Sequence, residues 1–346
     1  MSADRPASLA ARIEAGWARP GPPPLVLRLV AALFGALGAF RRWLYHHGLR
    51  RTERLDVPVL VVGNRIVGGA GKTPTTLALC QALQAAGWRP GIVSRGHGGQ
   101  ARLPQPVRAD SAAAQVGDEP LLLARRSGLP VWVGRDRAAA GRALRAAHPE
   151  VDLIVCDDGL QHLRLGRDVE VLVFDERGGG NGHLLPAGPL REPVELPARV
   201  PQIVLYNAAQ PSTALAGFLA RRELAGAVLL ADWWQGRPAT PAALQALRGR
   251  PLLACAGLGQ PQRFFAALRQ LGLQISELAP GDHHDYATLP WPAATPEVVL
   301  TEKDAIKLDP ARLAAQVPQT RIWVVPLAFV PEPGFCAAVL RALPTR

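Results

Sequence analysis

Short apolar runs alternate with segments of helical periodicity along most of this chain. Strands are predicted at residues 57–62, 90–94, 151–156 and 169–174, with helix-favouring or turn-favouring stretches between them. Strands that alternate with helices predict a parallel α/β sheet, and the ligands of such sheets gather at the carboxyl ends of the strands. The second half repeats this alternation at residues 203–206, 252–254, 298–300 and 322–325, which predicts a further α/β domain.

The most apolar segment, residues 25–45, precedes the first strand. Its uninterrupted apolar run, residues 29–40, has twelve residues, whereas a helix that spans a bilayer needs about 20. We interpret the segment as a helix half-buried in a membrane surface. Its aromatic residues Trp43 and Tyr45 would lie at headgroup level. The arginines at its end and just after it would face anionic lipid: Arg41, Arg42, Arg50, Arg51 and Arg54. A helix packed on its own domain is the alternative.

The chain is strongly basic. It has 39 Lys and Arg against 28 Asp and Glu, for a formal net charge of +11, which suits nucleic acid, an anionic membrane or phosphorylated substrates. A nucleic-acid-binding ATPase would interleave stacking aromatic residues with basic ones. The chain has three Tyr and eight Phe, and we expect no nucleic-acid partner. The four cysteines form no C-x-x-C pair and no disulfide framework, which indicates a reducing cytosol.

A glycine-rich segment follows the first strand, and residues 63–73 read GNRIVGGAGKT. The order of strand, glycine loop, Lys-Thr and helix is typical of loops that bind nucleotide phosphates. Lys72 would reach the β- and γ-phosphates, and the Thr73 hydroxyl would reach Mg²⁺. The strict pattern places Gly at position 66, where this chain has Ile66, so a glycine-rich loop that happens to precede a lysine is the alternative. The predicted nucleotide-binding residues are Gly68, Gly69, Ala70, Gly71, Lys72, Thr73 and Pro74.

The fold class follows from this loop and the strand pattern. We predict an α/β protein with a P-loop NTPase-like parallel-sheet domain and a second, smaller α/β domain, preceded by an N-terminal membrane-associating helix. The predicted boundaries are residues 1–55 for the tail and helix, 56–205 for the P-loop core domain and 206–346 for the C-terminal α/β domain.

Acidic residues follow several predicted elements. Asp157 and Asp158 end a strand, where phosphate-loop enzymes place a carboxylate near Mg²⁺, although two solvated acids before a glycine would look the same. Asp118 begins a predicted helix, either as an acid of its first turn or as a general base. Residues 281–286 place two histidines between acids, which suits a metal site, an acid–base partner or a solvated loop. Residues 301–307 read as a nucleotide-side contact or as a capping box.

Together these segments resemble one family, the tetraacyldisaccharide 4′-kinases. The matching pieces occur in order from about residue 25 to residue 308: VGNRIVGGAGKTP, SRGHGG, VGDEPLLLA, the Arg137 turn, DDGLQH, GNGHLLPAGPLREP, AGLGQPQRFF, DHHDY and TEKDAIK. The set is highly specific, although each piece alone is not. Ile66 differs from the small polar residue expected at that position.

The resemblance implies an enzyme that moves the γ-phosphate of ATP, with Mg²⁺, onto the 4′-hydroxyl of a tetraacylated disaccharide 1-phosphate in lipid A biosynthesis. The resemblance also implies that the enzyme acts at the cytoplasmic face of the bacterial inner membrane. The lipid disaccharide and the anionic membrane surface are the expected partners, and no obligate protein partner is implied. A four-chain lipid is not readily extracted by a soluble enzyme, so the resemblance favours the membrane interpretation of residues 25–45.

The resemblance also assigns roles residue by residue. Lys72 and Thr73 would hold the phosphates and Mg²⁺, with Asp157 and Asp158 as acids on the Mg²⁺ side.

Asp118 matches the family's catalytic acid, and His283 matches the partner of that acid. Lys72 and Arg137 are the other two predicted catalytic residues. The predicted substrate-binding residues are Arg191, Glu192 and Asn181. A P-loop GTPase or metallochaperone that switches partners is the alternative class. It would need a guanine-reading N-K-x-D motif, whereas Asn207 is followed by two alanines.

Overall fold

The computed structural model describes residues 9–17, 21–100, 102–282 and 284–345. His283, the predicted partner of Asp118, lies outside the described residues.

Twelve helices are present among the described residues. They are α1 (Leu9–Trp17), α2 (Leu25–His46), α3 (Lys72–Ala85), α4 (Ala113–Val116), α5 (Asp118–Ser127), α6 (Arg137–Ala147), α7 (Leu230–Trp234), α8 (Pro241–Gln245), α9 (Pro261–Gln270), α10 (Glu302–Ala305), α11 (Pro310–Gln316) and α12 (Phe335–Ala342).

Fourteen strands accompany them in the same described ranges. They are β1 (Val59–Gly63), β2 (Pro90–Ser94), β3 (Gln105–Val107), β4 (Val131–Val133), β5 (Leu153–Asp157), β6 (Val169–Asp175), β7 (Gln202–Asn207), β8 (Phe218–Leu224), β9 (Val228–Leu229), β10 (Pro251–Cys255), β11 (Gln274–Leu278), β12 (Glu297–Leu300), β13 (Arg321–Val324) and β14 (Leu327–Pro331).

The chain folds as two compact units, each built from separate stretches of sequence. Unit 1 comprises Met1–Arg95, Asp136–Arg221 and Pro331–Arg346, and unit 2 comprises Gly96–Arg135 and Arg222–Val330. The domain boundaries that we predict from the sequence stay a prediction. They treat each domain as one continuous stretch, because local periodicity carries no signal for pairing between stretches far apart in the chain.

Unit 1 is organised around a parallel sheet in the strand order β8-β7-β6-β1-β5-β2. The residues of β1, β2 and β5 are all buried, as expected for strands that are covered on both faces. This sheet confirms the parallel α/β arrangement predicted from the apolar runs. Its carboxyl edge carries the last residues of four neighbouring strands: Gly63, Asp157, Asp175 and Asn207.

Unit 2 contains a sheet in the order β11-β10-β12-β13-β9, in which only β9 runs antiparallel to its neighbour. In the same unit, β3 and β4 pair antiparallel to each other. The core includes the buried face of α9, with Phe264, Phe265 and Leu268. The second α/β alternation of the sequence therefore corresponds to a real sheet.

The apolar pattern predicts no strand at β3, β8, β11 or β14. β11 reads QISEL and is mostly exposed, and β8 reads FLARREL with alternating exposed positions. Strands with one solvated face lack the continuous apolar run by which the buried strands were found.

The predicted helix at residues 25–45 is confirmed as α2. It approaches the rest of unit 1 closely at Gly35, where an added Cβ would lie 2.7 Å from Leu184 Cδ1, and Ala31 is its buried residue. No helix within the described ranges has both the length and the apolar character needed to cross a bilayer.

Candidate active site

The glycine-rich loop connects β1 to α3 at the carboxyl edge of the unit 1 sheet. Gly68 and Gly71 have φ angles of +91° and +96°, which residues with a Cβ rarely adopt. Gly71 is the N-cap of α3, and no side chain caps this end of the helix. The first amide groups of α3 are therefore available to an anion, which the helix dipole also favours.

Lys72 is the first residue of α3 and is almost fully buried. Its Nζ donates hydrogen bonds to Asn64 Oδ1 at 3.3 Å and to the carbonyl oxygen of Gly68 at 3.5 Å. The same Nζ lies 3.7 Å from Asp158 Oδ1. The ammonium group is thus held by the loop itself, beside the end of β5.

Two asparagines support the loop, and the sequence reasoning assigned neither to it. Asn64 Nδ2 donates to the carbonyl oxygen of Gly68 at 3.1 Å, and Asn207 Nδ2 donates to that of Ala70 at 2.9 Å. Asn207 is the last residue of β7, so a polar residue at a strand end was the available signal. Its amide serves the phosphate loop, which argues against the guanine-reading role that the GTPase alternative would need.

Arg177 was also missed, and it contacts the loop from the segment after β6. Its Nη1 donates to the carbonyl oxygen of Val67 at 3.3 Å, and its Nε donates to Asp175 Oδ2 at 2.9 Å. Asp175 is fully buried at the end of β6, so it holds the guanidinium in place. The available signal in the sequence was again a charged residue, Asp175, at the end of a predicted strand.

Asp157 and Asp158 lie at the end of β5 and differ in their partners. Asp157 is buried, and its Oδ1 accepts a hydrogen bond from Thr76 Oγ1 at 3.0 Å. Asp158 Oδ1 lies 3.4 Å from Arg191 Nη1 as well as beside Lys72. Burial raises the pKa of Asp158, but these cations outweigh it, and the pKa is held below its ordinary value. Asp158 is therefore an ionised carboxylate among cations.

Arg137, a predicted catalytic residue, begins α6 close to Asp158. Its Nη2 donates to the carbonyl oxygen of Asp158 at 3.2 Å, and its backbone amide donates to His162 Nε2 at 3.2 Å. Asp136 is the N-cap of α6 and accepts from two amides of its first turn. Burial and then Arg137 lower the pKa of His162 to about 4, against the opposing effect of Asp136. A neutral His162 therefore accepts the Arg137 amide hydrogen bond.

Arg191 lies beside the glycine loop because its segment pairs with the loop's backbone. Its amide donates to the carbonyl oxygen of Arg65 at 2.7 Å, and Ile66 forms an antiparallel bridge with Leu190. Ile66, which departs from the strict glycine pattern, is fully buried. An apolar residue at this position thus anchors the loop to the Arg191 segment.

Glu192 links the N-terminal helix to this region. Its Oε1 lies 3.4 Å from Arg42 Nη1, and its Oε2 accepts from Gln161 Nε2 at 3.1 Å. Gln161 Nε2 also donates to the main-chain carbonyl oxygen of Asn64 at 3.2 Å. The main-chain carbonyl oxygen of Gln161 accepts from Arg41 Nη2 at 3.2 Å. The end of α2 is therefore connected to the phosphate loop through these side chains.

Asn181 uses both ends of its side-chain amide inside its own loop. Its Nδ2 donates to the carbonyl oxygen of Ala187 at 3.0 Å, and its Oδ1 accepts from the His183 amide at 3.1 Å. Gly188 packs so closely that an added Cβ would lie 2.0 Å from Asn181 Oδ1. Asn181 shapes this loop, and its role in substrate binding stays a prediction.

The donor set at the sheet edge fits Mg²⁺. This ion prefers oxygen ligands and is usually held by one or two carboxylates together with substrate phosphates. Asp157 and Asp158 supply carboxylates, and Thr73 supplies a hydroxyl in the first turn of α3. No cluster of three or more His, Cys, Asp and Glu side chains with metal-binding geometry occurs in the described part of the chain. Such a cluster would suit a metal bound without phosphate.

Unit 2 holds the other predicted acid. Asp118 is the first residue of α5 and is buried. Its Oδ1 accepts from the Glu119 amide at 3.1 Å, and its Oδ2 lies 3.5 Å from Lys307 Nζ. Lys303 Nζ lies 3.7 Å from Glu119 Oε1. The carboxylate therefore has both a local structural contact and a buried cationic partner.

The charged turn at residues 301–307 caps a helix, as one of the two sequence interpretations proposed. The Thr301 hydroxyl accepts from the Asp304 amide at 3.3 Å and donates to Asp304 Oδ2 at 2.7 Å. Glu302 is paired with Arg126 and accepts from Trp233 Nε1 at 3.1 Å. These contacts fix the element that carries Lys303 and Lys307.

The loop at residues 281–286 is described except for His283. Lys303 Nζ lies 3.5 Å from Asp282 Oδ1, and the carbonyl oxygen of His284 accepts from Lys307 Nζ at 3.1 Å. His284 Nδ1 accepts from the Tyr286 amide at 3.1 Å, so it serves this turn. The loop is thus bound to the same two lysines as Asp118 and Glu119.

Comparison with known proteins agrees with this arrangement. The family model for "Tetraacyldisaccharide-1-P 4'-kinase" matches residues 24–344. A tetraacyldisaccharide 4′-kinase of Leptothrix cholodnii is 60% identical over 345 residues, covering 100% of this chain and 98% of the relative. Its counterpart in Methylibium petroleiphilum is 57% identical, with 99% and 98% covered.

A solved structure is also similar. The crystal structure of LpxK from Aquifex aeolicus in complex with ATP has a TM-score of 0.74 and 26% sequence identity, and the match covers 90% of this chain and 97% of that one. The P-loop NTPase-like α/β fold class predicted from the sequence is confirmed, as is the resemblance found in its motifs. The chain belongs to the tetraacyldisaccharide 4′-kinase family.

Proposed function

We propose that this protein transfers the γ-phosphate of ATP to the 4′-hydroxyl of a tetraacyldisaccharide 1-phosphate, a step of lipid A biosynthesis. One observation carries the proposal. A buried lysine at an uncapped helix N-terminus is held by its own glycine loop beside a partly buried aspartate that follows a strand, in a chain that matches this kinase family over residues 24–344.

The glycine loop binds the phosphates of ATP. The first amides of α3 point to the anion, and the Lys72 ammonium neutralises charge on the β- and γ-phosphates. Asn64, Asn207 and Arg177 keep the loop in this shape through their bonds to its carbonyl groups. Phosphoryl transfer depends chiefly on positioning and charge stabilisation, which such a rigid loop provides.

Asp157, Asp158 and Thr73 would hold Mg²⁺. When bound, the ion neutralises charge on the phosphate oxygens. Thr76 orients Asp157 through its hydroxyl, and Lys72 with Arg191 keeps Asp158 ionised. The chain's own contribution here is two fixed carboxylates, of which Asp158 is held ionised by its neighbouring cations.

Arg137 and Arg191 stabilise the charge on the transferring phosphoryl group. Both lie within hydrogen-bonding or ion-pair distance of Asp158, at its carbonyl oxygen and its carboxylate respectively. A guanidinium stays charged even when buried, because its ordinary pKa is so high. Two arginines are therefore fixed beside the predicted Mg²⁺ ligands.

Asp118 is the general base that accepts the proton of the 4′-hydroxyl, with His283 as its partner. The family motifs carry this assignment, and the burial of Asp118 and its contact with Lys307 support it. A sugar hydroxyl is a poor nucleophile at neutral pH, so a carboxylate that takes its proton accelerates transfer. Arg191, Glu192 and Asn181 bind the lipid disaccharide that accepts the phosphoryl group.

The enzyme works at the cytoplasmic face of the inner membrane, with α2 docked on the lipid surface. Nine large apolar residues of α2 are between 38% and 70% exposed: Leu25, Val26, Leu29, Val30, Leu33, Phe34, Leu37, Phe40 and Trp43. An apolar surface of this kind marks an interaction site, and a four-chain lipid has to be met at the bilayer. Of the arginines predicted to face lipid, Arg41 and Arg42 instead contact Gln161 and Glu192.

The direct test uses purified protein, ATP, Mg²⁺ and the disaccharide 1-phosphate in detergent micelles. Mass spectrometry should detect a product heavier by one phosphoryl group that forms only with ATP, and the matched variant Lys72→Ala should form little of it. Absence of this product with folded, ATP-binding protein would contradict the proposal.

Docking by α2 has a separate test. Replacing Leu33 and Leu37 by Glu should shift the protein from the vesicle pellet to the supernatant, because charged residues are costly in the apolar layer. The control replaces Leu103, which is 77% exposed outside α2, in the same way. Unchanged sedimentation of the α2 variant would count against docking through this face.

A further inference from the structure

A basic cavity of about 610 Å³ lies in unit 1, beside the C-terminal end of α2. It is lined by Tyr45, Arg50, Arg51, Glu53, Arg54, Arg142 and Arg164. None of these residues belongs to the phosphoryl-transfer site described above. We propose that this cavity binds the phosphate monoester headgroup of an anionic membrane lipid.

The charges around the cavity leave two cations uncompensated. Glu53 pairs with Arg142, Arg164 Nη1 lies 2.8 Å from Asp136 Oδ2 and its Nη2 lies 3.5 Å from Glu53, and Arg54 Nη1 lies 3.2 Å from Asp168 Oδ1.

Arg50 and Arg51 are exposed and form no ion pair within the part of the chain that the structure describes. A phosphate monoester carries about −1.5 to −2 charges at pH 7. Two free guanidinium groups therefore match one such headgroup in charge, and their planar donor sets suit its oxygens.

The backbone around the cavity is fixed by hydrogen bonds. The Glu53 amide donates to the carbonyl oxygen of Arg164 at 2.7 Å, and the Gly166 amide donates to that of Glu53 at 2.7 Å. The Arg50 amide donates to the carbonyl oxygen of Leu44 at the end of α2, at 3.1 Å. The backbone that carries the arginines is therefore fixed before a ligand binds, which lowers the entropy lost on binding.

The position of the cavity favours a lipid over a free phosphate. It is continuous with the end of the helix whose apolar residues are exposed, and Tyr45, which lines it, follows the half-exposed Trp43 on that helix. Aromatic residues lie at headgroup depth in membrane-bound helices. This step rests on the docking of α2 that is part of the proposed function. With α2 on the membrane, the cavity lies where headgroups are.

The test compares two anionic lipids at equal surface charge. Full-length protein without nucleotide or acceptor is titrated with phosphatidylcholine vesicles containing either phosphatidic acid, a monoester, or phosphatidylglycerol, a diester. The unaltered protein should prefer phosphatidic acid. In the double variant Arg50→Ser, Arg51→Ser, binding to phosphatidic acid should weaken by about 10- to 30-fold, and the preference should disappear.

A matched control removes two exposed arginines elsewhere. Arg102→Ser with Arg108→Ser causes the same loss of charge outside the cavity and should leave the preference intact. Glu53→Gln provides a change in the opposite direction: without the carboxylate, binding to phosphatidic acid should become about fivefold tighter. A gain of binding cannot come from misfolding.

Three results would overturn the inference. They are no preference for phosphatidic acid in the unaltered protein, an equal loss in the Arg102 and Arg108 control, or calorimetric binding of soluble glycerol 3-phosphate as tight as that of the vesicles, which would identify a free ester as the occupant. Because no turnover is measured, such a failure leaves the kinase proposal untouched. If the unaltered protein binds neither kind of vesicle, the proposed docking of α2 on the membrane is contradicted instead.

Discussion

Two lysine–aspartate pairs of this protein stand in opposite electrostatic surroundings. In unit 1, Asp158 lies beside Lys72 and Arg191, and these cations outweigh burial and lower the pKa of the carboxylate. In unit 2, Asp118 pairs with Lys307. There burial lowers the pKa of the neighbouring Lys303, but Glu119, Asp118 and Asp282 outweigh it and raise that pKa.

The difference separates two chemical tasks. A carboxylate that lies among cations belongs to a site that binds anions and metal together, as the phosphates of ATP with Mg²⁺ require. Lysines among carboxylates belong to a site whose acids are held in place by ion pairs, as a correctly positioned base requires. The following predictions test whether the two pairs divide the reaction in this way.

The largest effect is expected at Asp118. Asp118→Asn keeps an oxygen that can accept the Glu119 amide but removes the base, so kcat should fall by about 10² to 10⁴-fold. The affinity for ATP, measured by calorimetry, should stay nearly unchanged. If turnover and nucleotide affinity fall together, Asp118 is a structural residue of α5 and the division of tasks is wrong.

Lys72→Ala should lower kcat by about 10² to 10³-fold, because one fixed cation is lost from the developing phosphate charge. Unlike Asp118→Asn, it should also weaken ATP binding. Steady-state kinetics and calorimetry on the same preparation separate the two quantities. A variant that keeps near-normal turnover would remove the phosphate loop from the mechanism.

The partly buried His162 of unit 1 also predicts a dependence of stability on pH. The unfolded chain binds a proton at His162 near pH 6.5, whereas burial and Arg137 lower the pKa in the folded protein to about 4. Between these values the unfolded state binds more protons, so stability falls as the pH drops. From pH 7 to pH 5 this residue alone should remove about 2 kcal/mol from the free energy of unfolding.

Urea denaturation at the two pH values checks this effect. In His162→Gln the free energy of unfolding should depend less steeply on pH, because the glutamine does not titrate. His148→Gln is the control, since His148 is a partly exposed histidine of the same unit and its replacement should leave the contribution of His162 in place. Equal slopes in the His162 variant and the unaltered protein would contradict the assignment.

The smallest effect is expected at Asn207. Asn207→Ala removes one buried hydrogen bond to the carbonyl oxygen of Ala70, which costs about 1 to 2 kcal/mol. If the lost bond stabilises the conformation of the loop that binds ATP, the KM for ATP should rise by about 5- to 30-fold. The kcat should change little. A fall in kcat at constant KM would place Asn207 in the chemistry rather than in loop support.

The two regions also differ in how well the sequence predicted them. The phosphate loop is local: strand, glycines, Lys72 and helix are consecutive, so its architecture could be predicted and was found. The supports of the loop, Asn207 and Arg177, come from more than 100 residues away. Their roles depend on strand order, which periodicity does not give.

Unit 2 depends still more on long-range contacts. Asp118 and Lys307 meet because residues 96–135 fold with residues 222–330, which no local pattern reports. Only the family motifs indicated that Asp118 and the 281–286 loop act together. Their shared contacts with Lys303 and Lys307 are what the structure adds.

The central claim concerns both the donor and the position of transfer, and one measurement addresses both. The product formed from ATP and the disaccharide 1-phosphate is examined by two-dimensional ¹H–³¹P correlation NMR. We predict a second phosphate monoester coupled to the proton at the 4′ carbon, present with ATP and absent without it. A phosphate coupled to any other ring proton, or an unchanged substrate in the presence of folded enzyme, would contradict the account.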